Sequence, residues 1–146
     1  MPLTAPRTTP ENPEERQVRA VLRAAEDAWN RHDLQAFTAL FAPEAGYITR
    51  DNVMLRGRNE IERAQENAQA GPLRGMQLKL TANRIEFLAP QVVVVDALVC
   101  LIPEQYGVRP TDALSTLVLA RGEEGWRIYA AHTSYRTTPE GEGRLT

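Results

Sequence analysis

The longest apolar run in the chain reads Val92-Val93-Val94-Val95-Asp96-Ala97-Leu98-Val99-Cys100-Leu101-Ile102. Apolar residues occupy both the odd and the even positions of this run, as expected for a β-strand whose two faces are both covered. The run therefore predicts a long strand at the centre of a sheet. Asp96 is the only charged residue in it, and an unpaired carboxylate buried there would be costly.

Strand patterns also lie on both sides of this run. Before it, apolar and polar residues alternate over 76–81, and a shorter strand is predicted over 85–88. After it, strands are predicted over 114–120 and 126–135, joined by a turn at 121–125. The second half of the chain is therefore predicted to be an antiparallel meander.

The first half of the chain has the period of helices. Asn12, Pro13 and Glu15 form an N-terminal capping pattern in front of an amphipathic helix that ends near Trp29. Its apolar positions form one stripe, so one face of this helix is expected to be buried.

Two further helices are predicted before the meander. Asp33 is the expected cap of a short second helix that reaches Phe41, and a third helix of about three turns follows Gly57. A strand pair is predicted between them, over 47–49 and 53–55. Helices first and strands later, without βαβ alternation, predict an α+β fold with a mostly antiparallel sheet.

Size and charge limit the functions to consider. The chain has 146 residues, a common length for one domain, and a net charge of −2 without a long basic run, so nucleic acid is not an expected partner. It has neither an apolar stretch of membrane length nor a signal-peptide core, so we expect a cytoplasmic protein with no membrane partner. One domain is expected over 12–135, with disordered tails at 1–11 and 136–146.

Neither a metal ion nor a cofactor is expected from the sequence. The single cysteine, Cys100, and the two histidines, His32 and His132, lie in different segments and have no metal-ligand spacing. No Gly-rich phosphate-binding loop of the dinucleotide or Walker type is present.

Three groups of residues carry a family resemblance. They are Ala28-Trp29-Asn30-Arg31-His32-Asp33 with Phe37-Thr38-Ala39-Leu40-Phe41-Ala42-Pro43-Glu44-Ala45, then Leu55-Arg56-Gly57-Arg58-Asn59-Glu60-Ile61, and finally Gly125-Trp126-Arg127-Ile128 with His132. Together they resemble the nuclear-transport-factor-2-like superfamily, in particular its SnoaL-like and DUF4440 branches and the small bacterial SgcJ/EcaC group. The resemblance implies a cystatin-like cone, in which a curved, mostly antiparallel sheet packs against three helices in the N-terminal half.

The same resemblance implies a choice of functions. Members of the superfamily include polyketide cyclases, ketosteroid isomerase, dehydratases and association modules, often as homodimers. The tyrosine and aspartate of ketosteroid isomerase align here with Ala28 and Thr49, which disfavours steroid-type isomerisation. By similarity to the SnoaL cyclases, Asp96 and His132 are the candidate acid/base pair.

Asp96 and His132 each allow two interpretations. Asp96 either faces an apolar pocket, where its pKa would rise, or pairs with an arginine across the sheet or at a dimer surface. His132 is in phase with Trp126, Ile128 and Ala130, which predicts that it faces the cone interior. There it is either a proton carrier or a hydrogen-bonded core histidine.

Two aromatic residues complete the candidate ligand site. Trp29 ends the apolar stripe of the first helix, where it can line a pocket mouth or fill the core, and Tyr47 can present a ring and a hydroxyl to a ligand. The predicted ligand-binding residues are therefore Trp29, Tyr47, Asp96 and His132.

Two functions follow as hypotheses. The first is a small-molecule protein that binds a hydrophobic or polyketide-like ligand without a cofactor, with acid/base chemistry such as cyclisation, isomerisation or hydration. The alternative is a dimerisation or protein-association module without chemistry. In both, the two-faced apolarity of 92–102 predicts a homodimer through the outer face of the sheet.

Overall fold

A computed structural model describes residues 12–135 of the chain. Its elements, in order, are α1 (Pro13–Asn30), α2 (Leu34–Ala39), β1 (Phe41–Ile48), β2 (Met54–Arg56), α3 (Arg58–Ala70), β3 (Met76–Ala89), β4 (Val92–Pro103), β5 (Thr111–Gly122) and β6 (Gly125–Tyr135). The tails predicted at 1–11 and 136–146 lie outside the described residues.

The strands form one curved sheet in the order β2-β1-β6-β5-β4-β3. All neighbours are antiparallel except β1 and β6, which are parallel. The predicted α+β fold, with three helices and a mostly antiparallel sheet, is confirmed. The predicted central place of the apolar run is wrong, because β4 lies between β5 and the edge strand β3.

Side-chain caps begin the first two helices where the sequence predicts them. Asn12 Oδ1 accepts a hydrogen bond from the backbone N–H of Glu15 at 2.6 Å, and Asp33 Oδ1 accepts one from Ala36 at 3.1 Å. The second helix ends earlier than predicted, because Phe41 pairs with Ile128 of β6 instead of continuing the helix. Tertiary pairing here overrides the local helical pattern.

The hydrophobic core lies between the helices and one face of the sheet, which we call the inner face. The largest fully buried side chains are Ile61 of α3, Val18 of α1, and Val93, Val95 and Leu119 of the sheet. The apolar side chains on the other, outer face of β4 are half-buried or exposed. The described helices thus do not bury both faces of the apolar run.

A β-bulge at Tyr129 changes which side chains of β6 point inward. Val118 pairs with Ala130 and Leu119 with Ile128, so Tyr129 is the extra residue. One extra residue exchanges the two faces of the strand beyond it. Trp126 and Ile128 before the bulge are buried, whereas after it the buried residues are Ala131 and Thr133.

Candidate ligand cavity

A cavity of about 390 Å³ lies between the inner face, α1, α3 and the β1–β2 hairpin. The buried part of its lining is mostly apolar and includes Leu22, Ala25, Phe37, Phe41, Leu117 and Ile128. The lining residues exposed to solvent are Asp51, Val53, Asn67 and Pro72. The cavity therefore opens between the β1–β2 turn and the C-terminal end of α3.

Three hydroxyl groups meet in the wall of this cavity, and we call Tyr47, Ser115 and Thr133 the hydroxyl cluster. Ser115 Oγ and Thr133 Oγ1 are 3.0 Å apart, and Tyr47 OH lies 3.5 Å from Thr133 Oγ1. Strand register explains the meeting. Ser115 of β5 and Thr133 of β6 are direct partners, and Tyr47 of β1 pairs with Ala131 of β6, two residues before Thr133.

Two glutamines connect α3 to the tryptophan of α1. Trp29 lines the cavity with only 3% of its surface exposed, and its indole Nε1–H donates to Gln65 Oε1 at 2.8 Å. Gln69 Nε2 donates to the backbone carbonyl oxygen of Trp29, also at 2.8 Å. These bonds position α3 as one wall of the cavity and satisfy the indole N–H, which is otherwise costly to bury.

Over residues 12–135, charged groups line the cavity only at its mouth. The guanidinium of Arg50 lies over the Tyr135 ring at 5.3 Å, and the Tyr135 hydroxyl donates to Asp51 Oδ1 at 3.3 Å. Among the described residues that line the cavity, Asp51 is the only carboxylate, and none is a histidine, glutamate, lysine or cysteine.

Asp96 lies on the outer face of β4 and not in the cavity. Its carboxylate accepts a hydrogen bond from Arg84 Nε at 2.6 Å, and Arg84 also contacts Glu86. The hydrogen bond to Asp96 raises the pKa of the Arg84 guanidinium, and the charge of Asp96 adds to this effect. Of the two interpretations of Asp96, the ion pair across the sheet agrees with the structure, and the position facing a pocket is wrong.

The predicted inward orientation of His132 is also wrong. The bulge at Tyr129 turns His132 to the outer face, where it is exposed. Asp96 pairs with Thr116 and Thr116 with His132, so two strand spacings, roughly 9.5 Å, separate the backbones of the proposed acid/base pair. A catalytic role for Asp96 and His132 stays a prediction, and the cavity lends it no support.

The four sequence candidates therefore separate into two pairs. Trp29 and Tyr47 line the cavity, whereas Asp96 and His132 lie on the other side of the sheet. The sequence analysis missed Ser115 and Thr133. Ser115 is in phase with apolar inner-face residues of β5, a signal that was available in the sequence, but the bulge hides the same signal for Thr133.

Residues 12–135 contain neither a candidate metal site nor a candidate membrane-spanning helix. In that part of the chain, no group of three or more His, Cys, Asp or Glu side chains is arranged to hold a metal ion. Nor is any of its helices both long enough and apolar enough to cross a bilayer.

Comparison with known proteins gives one family and several similar folds. The model of a SnoaL-like domain matches residues 18–138. A domain of unknown function with a cystatin-like fold from Nostoc punctiforme is 27% identical, with a TM-score of 0.82 over 93% of this chain and 85% of that chain. No curated protein matches this chain in sequence.

Two more distant structures show the fold alone. An NTF-2-like protein of unknown function from Shewanella oneidensis is 21% identical, with a TM-score of 0.71 over 82% of this chain and 98% of that chain. A ketosteroid isomerase-like protein from Erwinia carotovora atroseptica is 16% identical, with a TM-score of 0.71 over 88% of this chain and 100% of that chain.

Proposed function

This chain belongs to the SnoaL-like domain family, and from its interior cavity we propose that it binds a small hydrophobic molecule. The observation that supports this proposal is a cavity of about 390 Å³ with an apolar buried lining and three hydroxyl groups in one wall. Small-molecule sites typically occupy roughly 300–1,000 Å³ and combine an apolar surface with a few polar groups. The cavity has this composition.

The proposal extends to acid/base chemistry on a hydrophobic or polyketide-like ligand, such as cyclisation, isomerisation or hydration. Because Asp96 and His132 lie on the outer face, few of the described lining residues carry a group suited to acid/base chemistry. Asp51 is the carboxylate among them, and Tyr47 is the phenol. A reaction in the cavity would therefore depend on these two residues. Membership of the DUF4440 branch or the SgcJ/EcaC group, and a bacterial, cytoplasmic origin, are proposals that rest on the sequence motifs.

Binding of a neutral fluorescent probe tests the proposal. N-phenyl-1-naphthylamine becomes fluorescent in apolar surroundings, and we expect saturable binding to the full chain. Ala64→Trp places a large side chain in the cavity wall of α3 and should weaken probe binding at least about tenfold, since overfilled sites repack poorly. Ala24→Trp makes the same change on the exposed surface of α1 and is the control. Absence of saturable binding, or equal binding by both variants, would contradict the proposal.

A second candidate function is self-association through the outer face. Half-exposed or exposed apolar side chains cluster there on adjacent strands: Val94, Leu98, Ile102, Leu114 and Val118. They form two groups, separated by the polar row of Asp96, Thr116 and His132. Exposed apolar groups on one sheet face are typical of an interaction site. We propose a second copy of the chain as its partner, and the molar mass in solution tests this.

A further inference from the structure

The hydroxyl cluster contains more protons than its own hydrogen bonds use. Each of the three hydroxyl groups has one proton, and the cluster contains two contacts, Ser115 to Thr133 and Tyr47 to Thr133. Within residues 12–135, these three hydroxyls have no other side-chain hydrogen bonds. Whichever way the hydroxyls rotate, at least one O–H remains free to donate, and two remain free if the long 3.5 Å contact is weak.

This free donor lies in apolar surroundings. Ser115 is 6% exposed and Thr133 is 7% exposed, and the lining beside them includes Ala97, Leu117 and Ala131. A hydrogen bond made in such surroundings is stronger than one made in water, and a donor left without an acceptor there costs free energy. The cluster is thus a place where a ligand gains affinity by supplying an acceptor.

The charge of the lining indicates which acceptor fits. Within the part of the lining that the structure describes, Arg50 is the only cation, and it lies at the mouth with Tyr135, outside the hydrogen bonds of the cluster. An ionised carboxylate placed against the cluster would be buried without a cation, which is unfavourable. An uncharged oxygen, such as the carbonyl oxygen of a ketone or ester, accepts the free proton without this cost.

We infer that the hydroxyl cluster binds the carbonyl oxygen of an uncharged, otherwise apolar ligand and so fixes its orientation in the cavity. This inference rests on the proposed binding function and names the ligand class that the cavity selects. The ring of Tyr47 also stacks against the ring of Phe41, with 6.2 Å between the ring centroids, and this contact holds the phenol in the cavity wall. The apolar remainder of the ligand then lies against the buried lining, beside residues such as Phe37 and Ile128.

Two probes of nearly the same shape test this inference. In 2-acetylnaphthalene a carbonyl oxygen occupies the position of the CH₂ group of 2-isopropenylnaphthalene. Their Kd values are measured by displacement of N-phenyl-1-naphthylamine from the wild-type chain and from the triple variant Tyr47→Phe/Ser115→Ala/Thr133→Val. Comparing the ratio of the two Kd values between the two proteins cancels the difference in hydration of the probes, because both proteins take the probes from the same water.

The preference for the ketone is the Kd of the alkene divided by the Kd of the ketone. We expect this ratio to be about fivefold lower in the triple variant than in wild type, the factor that corresponds to one net hydrogen bond. The Kd for the alkene should change less than about twofold. Retained alkene binding shows that the variant is folded. The control is Thr116→Val, the same substitution as at residue 133 but on the exposed outer face of β5, and it should leave the ratio unchanged.

Three results would overturn the inference, and one of them separates it from the proposed function. If wild type and triple variant have the same ratio while both bind the alkene, the cavity binds ligands but the cluster does not select a carbonyl. If 2-naphthoate binds wild type more tightly than the ketone, the selected group is an anion. If neither neutral probe binds wild type, the proposed cavity function fails, and this inference fails with it.

Discussion

The ion pair of Asp96 with Arg84 lies on the outer face, separated from the cavity by the thickness of the sheet. Ala97, the next residue, points the other way and lines the cavity. Substitutions of distant side chains act independently when they share no partner. The outer-face pair should therefore have little influence on what the cavity binds.

Asp96→Asn and His132→Ala should each leave the Kd of N-phenyl-1-naphthylamine within about twofold of the wild-type value, because neither side chain touches the lining. Fluorescence titration of both variants checks this, with Ala64→Trp as the variant that must lose affinity. A tenfold loss in either outer-face variant would show that the acid/base pair predicted from the sequence acts on the ligand after all.

Cys100 should react slowly with thiol reagents. Burial raises the pKa of its thiol, and a hydrogen bond to Asp112 raises it further. A raised pKa means less thiolate at a given pH, and the thiolate is the nucleophile. The rate with Ellman's reagent near neutral pH should be below that of glutathione, should rise with pH, and should approach the glutathione rate in urea. A folded-state rate above that of glutathione would contradict this.

Among the elements, β6 shows where sequence reasoning reached its limit. Its alternation correctly predicts a strand and an inward Trp126, but the bulge at Tyr129 reverses the faces for His132 and Thr133. The position of the bulge is set by the pairing of β6 with β5, so the sequence of β6 alone does not show where the alternation of faces reverses. A similar irregularity occurs in β3. The strands predicted separately over 76–81 and 85–88 form one strand, whose pairing with β4 shifts register between Ala82 and Arg84.

The helices were easier to predict, because their signals are local. The N-terminal caps Asn12 and Asp33 are side-chain features that can be read in sequence, and both form the expected hydrogen bonds. The end of α2 depends instead on the pairing of Phe41 with a strand almost ninety residues later. The candidate site shows the same contrast between local and long-range signals. Trp29 was predicted from the apolar stripe of a helix, whereas Thr133 was missed because it faces inward only as a result of the bulge.

The third helix should be less protected than α1, the other long helix around the cavity. Ile61 is its only buried residue, whereas α1 has five, and Gly57 at its N-cap provides no side-chain hydrogen bond. Few buried contacts mean a low free energy of local opening. Hydrogen exchange should be faster in α3 than in β5, and bound N-phenyl-1-naphthylamine should slow it. Equal protection of α3 and β5 in the free protein would contradict this expectation.

In the molecule as a whole, the same strands contribute two apolar surfaces. On β4 and β5, alternate residues such as Ala97 and Ser115 line the cavity, and their neighbours Leu98 and Leu114 form the outer face. The continuous apolarity of the run is thus divided between a ligand surface and a surface left uncovered by the described helices. Only the second of these depends on another copy of the chain.

Self-association through that second surface makes a prediction about mass. The wild-type chain should sediment at equilibrium with twice its monomer mass of 16.3 kDa at micromolar concentration. Leu114→Lys puts a charge in the middle of the outer face, where Leu114 is 46% exposed, and should give a monomer, because an ammonium group is unfavourable in an apolar interface.

Tyr106→Lys provides the matched control, since Tyr106 is fully exposed and lies outside the strands. This variant should keep the mass of the wild type. A wild-type monomer would reject the dimer directly, and dissociation of both variants would mean that added charge, and not loss of the outer-face contact, separates the copies. Because the cavity lies on the other side of the sheet, monomeric Leu114→Lys should still bind N-phenyl-1-naphthylamine, so the two proposed functions can be tested separately in one protein.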